Sequence, residues 1–305
     1  MNVAVLGAGS DGRDIASLCA RAGHGVSLHG AEATVAMDRL DEIERSIADA
    51  AAAGEISGET KTAALEGLEA TTDLEAAITG SDVIVETTTE ATDALQATFA
   101  DLETIADRET LITTSNELSV TAAAAGLRQP DRALGVQFVG LPDPAVVEVL
   151  VASQTTAAAT ERAETFLETL GVTPVRVADA PGVASTRLEL AEEVEAMRAV
   201  ADERISVEDV DTLAKTGYGH SIGPLERADR AGLDNRLDTL RGLADALGTR
   251  FEPPELLEEL VAKGWTGVGA GKGFYTWESG EPAGSPLGAP EIARQGRQPD
   301  DPTEP

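Results

Sequence analysis

Short apolar runs alternate with stretches of helical period through the first 178 residues, and from Ser185 onward only the helical period remains. The runs at 2–6, 25–30, 82–87, 110–114, 133–138, 146–151 and 173–177 each read as a strand, the first of them buried. Between them, helical spacing runs through Ile15, Leu18 and Cys19, through Met37, Leu40, Ile43 and Ile47, and through Leu95, Phe99 and Leu102. Further helices are predicted over 119–126 and 156–170, while Thr72-Asp73-Leu74 resembles a strand tail and helix start. Alternating β and α units predict an α/β fold with a mostly parallel, doubly wound sheet. The Asp179-Ala180-Pro181-Gly182 break then introduces helices over 186–200, 207–215, 224–247 and 254–263. The expected organisation is a Rossmann-type domain over 1–178, an all-helical domain over 179–278 and an acidic, disordered tail over 279–305.

The first strand leads into Gly7-Ala8-Gly9-Ser10-Asp11-Gly12, which opens the first helix. Gly7 suits the tight turn, Gly9 lets the backbone approach a pyrophosphate, and Gly12 lets helix and strand pack closely. The free amides and positive end of that helix face the anion. This context predicts a dinucleotide site built on Gly7, Gly9 and Gly12. An acid usually follows about 20 residues beyond the glycines and holds the adenosine ribose. Here that position is Gly30; Glu32 just downstream is a candidate substitute, but reads more simply as a solvated loop charge. A weak preference for NAD over NADP follows.

Charge narrows the partners. Asp and Glu number 54 against 23 Lys and Arg, for a net charge of −31, which repels nucleic acid. Acidic excess with few lysines and 3% aromatics suits a salt-loving cytoplasm, where concentrated ions screen self-repulsion. Cys19, the only cysteine, sits on an apolar helix face and reads as core, with neither a disulfide framework nor a thiolate metal site. No segment has the length of a membrane span, so a cytoplasmic protein is expected.

In chain order, the motifs resemble the 3-hydroxyacyl-CoA dehydrogenase family. The first domain contributes the glycine loop with Arg13-Asp14-Ile15-Ala16, Ala22-Gly23-His24, Asp82-Val83-Ile84-Val85-Glu86, Ser115-Asn116 and Glu148. The second contributes Pro181-Gly182, Glu195-Ala196, Asp209-Val210-Asp211, Gly217-Tyr218-Gly219, Ile222-Gly223-Pro224, Ala228-Asp229 and Gly232-Leu233-Asp234. Pro253-Pro254-Glu255-Leu256-Leu257 and Gly271-Lys272-Gly273-Phe274-Tyr275 complete the series. The resemblance implies NAD as cofactor, an acyl-CoA substrate and hydride transfer at the 3-hydroxyl carbon. It also implies a histidine base oriented by a glutamate, with an asparagine and a serine positioning the substrate. Glu90 and Asn116 match family positions at the cofactor. Helices of the second domain imply a homodimer, through Leu188, Val194 and Met197 or through Leu237, Leu240 and Leu243.

The chain departs from the pattern at the chemistry. Gln137 stands where the resemblance implies the base, Thr186 replaces the asparagine, and Ser115-Asn116-Glu117-Leu118-Ser119 leaves the serine unassigned. Glu148 remains, and the lysine usual after the fourth strand is Leu95. Of three histidines, His24 reads as structural and His29 lies at the wrong end of the nucleotide site. His220, in a loop that faces the cleft in this family, is the remaining candidate base, although a loop residue packing on the helices explains it more simply. Two functions stay open: a dehydrogenase with an altered site, or an inactive member that binds nucleotide or acyl-CoA or serves in an assembly.

Overall fold

The computed structural model describes residues 1–89, 91–116 and 118–288. It divides into two units, Met1–Ala184 and Ser185–Pro305. The first carries strands β1 (Asn2–Leu6), β2 (Gly25–His29), β3 (Leu68–Thr71), β4 (Val83–Glu86), β5 (Leu111–Thr114), β6 (Ala133–Val139), β7 (Val146–Val151) and β8 (Thr173–Ala178). They form one sheet in the order β3-β2-β1-β4-β5-β6-β7-β8, parallel throughout except where β7 runs antiparallel to β6. The connections are helices α1 (Ser10–Arg21), α2 (Ala33–Ala53), α3 (Gly58–Glu66), α4 (Leu74–Ile78), α5 (Thr92–Ile105), α6 (Val120–Ala124) and α7 (Ala157–Thr169).

Strand alternation sends side chains to opposite faces, and each face has its own core. Val3 and Val5 of β1 pack with Ile15 and Cys19 of α1 and with Ile43 and Ile47 of α2. Ala4 and Leu6 face the other way, toward Leu95, Phe99 and Leu102 of α5. Cys19 is buried and free, and burial pushes its thiol up to about 12. Leu95 is fully buried in that second core, so this position holds no cation at the site. Strand β3 was not anticipated as a separate strand: it closes one edge of the sheet, and only Leu68 of its four residues is buried.

The second unit is helical: α8 (Ala184–Ala201), α9 (Val207–Thr212), α10 (Pro224–Ala231), α11 (Leu233–Leu247) and α12 (Glu255–Ala262). The single helix expected over 224–247 breaks at Gly232, whose φ is 90°, and the Leu233 amide turns to the Thr266 carbonyl at 3.1 Å. Residues 279–288 also differ from the expected tail. A short hairpin pairs β9 (Trp277–Glu278) with β10 (Glu281–Pro282), and Leu287 packs on the core; residues 289–305 lie outside those described. The two faces expected to pair subunits are corrected by packing. Val194, Met197, Leu237, Leu240 and Leu243 are all buried in this unit's own core, whereas Leu188 is 74% exposed. No helix among the described residues is long and apolar enough to cross a membrane.

Candidate active site

The nucleotide end is built by β1, α1 and the turn after β4. Gly7 adopts φ 119°, and its amide donates to the His29 carbonyl at 2.9 Å. A Cβ on Gly7 would lie 2.3 Å from Thr87 Oγ1, and one on Gly12 would lie 1.8 Å from the Gly7 carbonyl oxygen. These two positions therefore admit only hydrogen. Gly9 is different, since a Cβ there meets nothing within 4 Å. It caps α1 without any side chain over the first-turn amides, leaving them open to an anion.

Beside this loop lies a cleft of about 630 Å³ whose lining includes Gly7, Gly9, His29, Glu32, Thr88 and Asp101. It sits at the carboxyl ends of β1 and β4, where the strand order changes direction, the usual ligand position in such sheets. Apolar Val35, Leu74 and Leu102 line it as well. Open space at Gly9, uncapped amides and a part-apolar cleft together fit NAD. Position 30, by contrast, is tight: a Cβ on Gly30 would lie 3.0 Å from Ala36 Cβ and 3.1 Å from Ala8 Cβ.

Glu86, at the end of β4, is fully buried, and in the sequence it is legible only as part of a motif. Its Oε1 accepts from the Thr88 amide and hydroxyl, both at 2.6 Å, and from the Thr89 hydroxyl at 2.9 Å. Its Oε2 accepts from Thr114 at 3.2 Å and Asn116 Nδ2 at 3.4 Å. Asn116 also donates to the Thr89 carbonyl at 3.2 Å and accepts from the Leu118 amide at 3.1 Å. Its polar atoms are thus engaged in tying the loops after β4 and β5 together. Glu90 lies outside the described residues. Ser119 caps α6 through Ala122 and donates to Asp179 at 3.0 Å, a structural use of its hydroxyl.

Gln137 of β6 and Glu148 of β7 are direct partners in the antiparallel register. Glu148 is buried, and Gln137 Oε1 is buried without a hydrogen bond among the described residues. Position 137 thus stands where a carboxylate is the cross-strand neighbour, the arrangement a histidine base needs for orientation. An amide here can hold a hydroxyl but cannot accept its proton.

Thr186 and His220 belong to the second unit. Thr186 is in the first turn of α8, and His220 precedes α10 with its side chain 37% exposed. Its Nδ1 lies 3.2 Å from Glu192 Oε1 but out of hydrogen-bond alignment. Glu192 already accepts from Arg227 at 2.9 Å. Behind it Glu193 is fully buried between Arg227, 3.0 Å away, and Arg236, 3.1 Å away. Burial pushes its carboxyl up to about 7 against the pull of both guanidiniums.

Other motif residues of this unit prove architectural. Asp211 accepts from the Leu225 and Glu226 amides, both at 2.9 Å, and from the Tyr275 hydroxyl at 2.8 Å. Asp229 accepts from the Phe274 and Tyr275 amides, both at 2.9 Å, and from Trp277 Nε1 at 2.8 Å. A Cβ on Gly273 would lie 2.1 Å from that same carboxylate. Among the described residues no His, Cys, Asp and Glu side chains gather as a metal site.

Comparison with known proteins places this geometry. The model of the 3-hydroxyacyl-CoA dehydrogenase NAD binding domain matches residues 2–180, and that of the C-terminal domain matches 182–277. A 3-hydroxybutyryl-CoA dehydrogenase of Mycobacterium tuberculosis is 34% identical over 285 residues, covering 90% of this chain and 98% of that protein. A 3-hydroxyadipyl-CoA dehydrogenase of Escherichia coli is 31% identical over 281 residues, covering 91% of this chain but 59% of that longer protein. The crystal structure of (S)-3-hydroxybutyryl-CoA dehydrogenase from Ralstonia eutropha superposes with a TM-score of 0.86 at 26% identity, covering 91% of this chain and 99% of that one.

Proposed function

Because this chain belongs to the 3-hydroxyacyl-CoA dehydrogenase family, we propose that it transfers hydride between NAD and the 3-hydroxyl carbon of an acyl-CoA, slowly, at a site whose base has been replaced. The observation that supports this reading is the cross-strand pair of Gln137 and Glu148, a carboxylate kept opposite an amide. Bound NAD supplies the hydride acceptor. The hydroxyl proton must leave at the same time, and Gln137 can orient the hydroxyl while water takes that proton. Loss of a general base costs about 10²–10⁴-fold. Gly7, Gly9 and Gly12 hold the pyrophosphate, Asn116 takes a family position at the cofactor, and Thr186 takes the place of the family's substrate-positioning asparagine. The second reading, a binding protein without turnover, is favoured by the same amide.

The experiment measures NADH binding by calorimetry and acetoacetyl-CoA reduction in multimolar KCl. We expect NADH to bind, turnover to be slow, Gln137→His to raise it modestly, and Gln137→His with Thr186→Asn to raise it further. Binding without turnover in all three proteins selects the binding protein instead. Turnover at ordinary family rates that vanishes in His220→Ala makes His220 the base. A homodimer in a salt-rich cytoplasm completes the reading, supported by the net charge of −31 and by exposed Leu188, Leu213 and Tyr218 on the second unit. A monomeric mass by light scattering at high salt would remove the dimer.

A further inference from the structure

We propose that Glu32 is the residue that selects NAD over NADP in this cleft, taking the ribose-holding role that position 30 cannot fill. The proposal rests on the cleft being the dinucleotide site. In such sites a carboxylate after the second strand accepts hydrogen bonds from the adenosine ribose hydroxyls, whereas a 2′-phosphate calls for a nearby arginine. At position 30 a side chain would press on Ala36 Cβ and Ala8 Cβ, at 3.0 and 3.1 Å, so α2 and the glycine loop together close that place. Two residues further on, Glu32 lines the cleft alongside Gly7, Gly9 and His29. It is the N-cap of α2, yet its side chain accepts no helix amide. Its longer side chain compensates for a start two residues later.

The cations point the same way. Among the described residues no lysine or arginine lines the cleft. Arg39 of α2 is the nearest arginine in sequence, and it is committed: Nε donates to the Ala8 carbonyl at 3.2 Å, and Nη1 holds both oxygens of Glu42 at 2.7 and 2.8 Å. A 2′-phosphate would therefore meet the Glu32 carboxylate with no lysine or arginine of the described lining to offset it. Ribose hydroxyls, being donors, meet an acceptor. The first turn of α2 carries no acid of its own, so its amides would welcome a phosphate once the carboxylate of Glu32 were gone.

The test compares dissociation constants of NADH and NADPH by fluorescence at one fixed ionic strength, for the unmodified protein, Glu32→Gln, Glu32→Lys and Asp101→Asn. Asp101 is the other exposed acid of the lining, which makes its variant the control. Glu32 is also exposed, so none of these changes touches the core, and equal melting temperatures verify that. With Glu32 in this role the weak preference expected from Gly30 alone is replaced by a clear one: the unmodified protein should favour NADH by about tenfold or more, the size of one charge-assisted hydrogen bond. Glu32→Gln should shrink the ratio toward one by weakening NADH and strengthening NADPH, and Glu32→Lys should invert it. Asp101→Asn should leave it within about twofold. A ratio unmoved in both Glu32 variants, or one that collapses in Asp101→Asn, overturns the proposal while the dinucleotide site stands. A folded protein that binds neither cofactor overturns both.

Discussion

Glu193 holds its proton to about pH 7 although two guanidiniums lie against it, because burial costs the charged form more than both ion pairs return. Its ordinary value is 4.5, so the folded protein binds this proton more tightly than the unfolded chain. The associated stability is complete below pH 4.5 and is lost as pH rises through about 7. We expect the melting temperature to fall from pH 5 to pH 8, by an amount equivalent to about 1–3 kcal/mol, with Glu193→Gln removing that component. Calorimetry across the range checks it, and a Glu193→Gln variant with the same slope contradicts it. Burial also raises Asp211 and Asp229, and their share of the slope persists in the variant. Gln137 adds nothing here, being neutral at every pH. The sequence marked these acids unevenly. Asp211 and Asp229 stood inside recognisable motifs, while Glu193 was one more acid in a helix, because its burial depends on α10 and α11 bringing Arg227 and Arg236 to it.

At the scale of elements, the glycine loop separates two uses of the same residue type. Gly9→Val places its side chain in open space where the phosphates approach, so the fold should survive and NADH binding should be abolished. Gly12→Ala drives a methyl into the Gly7 carbonyl, so α1 must shift, and stability should drop by about 1–3 kcal/mol. Melting and NADH titration of both variants distinguish the two effects, and unchanged NADH affinity in Gly9→Val contradicts the site. Buried strands such as β1 and β4 were legible because apolar residues fill all their buried positions except that of Glu86. The edge strand β3 was not, since solvent on one side permits Glu69 and Thr71. The break between α10 and α11 was hidden because Leu225, Ala228, Leu233 and Leu237 all stay apolar on either side of it. Position 30 was legible as a missing acid. Glu32 was legible only as a candidate substitute, because its place in the cleft depends on which residue caps α2.

Across the whole molecule, a net charge of −31 opposes compactness, and unfolding would spread those charges apart. The ion pairs of α8 with Arg227 and Arg236 offset only a small part of the acidic excess. Melting temperature should therefore climb between low and molar KCl as screening shortens the reach of the repulsion. A flat or falling curve would leave an acidic protein with no need of salt. Each unit has its own core, but they differ in how late they can be finished. Asp229 gathers its three donors from Phe274, Tyr275 and Trp277, between 45 and 48 residues further along the chain. While the ribosome is still making that stretch, α10 has a carboxylate with nothing to receive and must leave it in water. Synthesis thus imposes an order on assembly: the sheet can close early, and the helical unit waits for its last hairpin before α10 can settle inward.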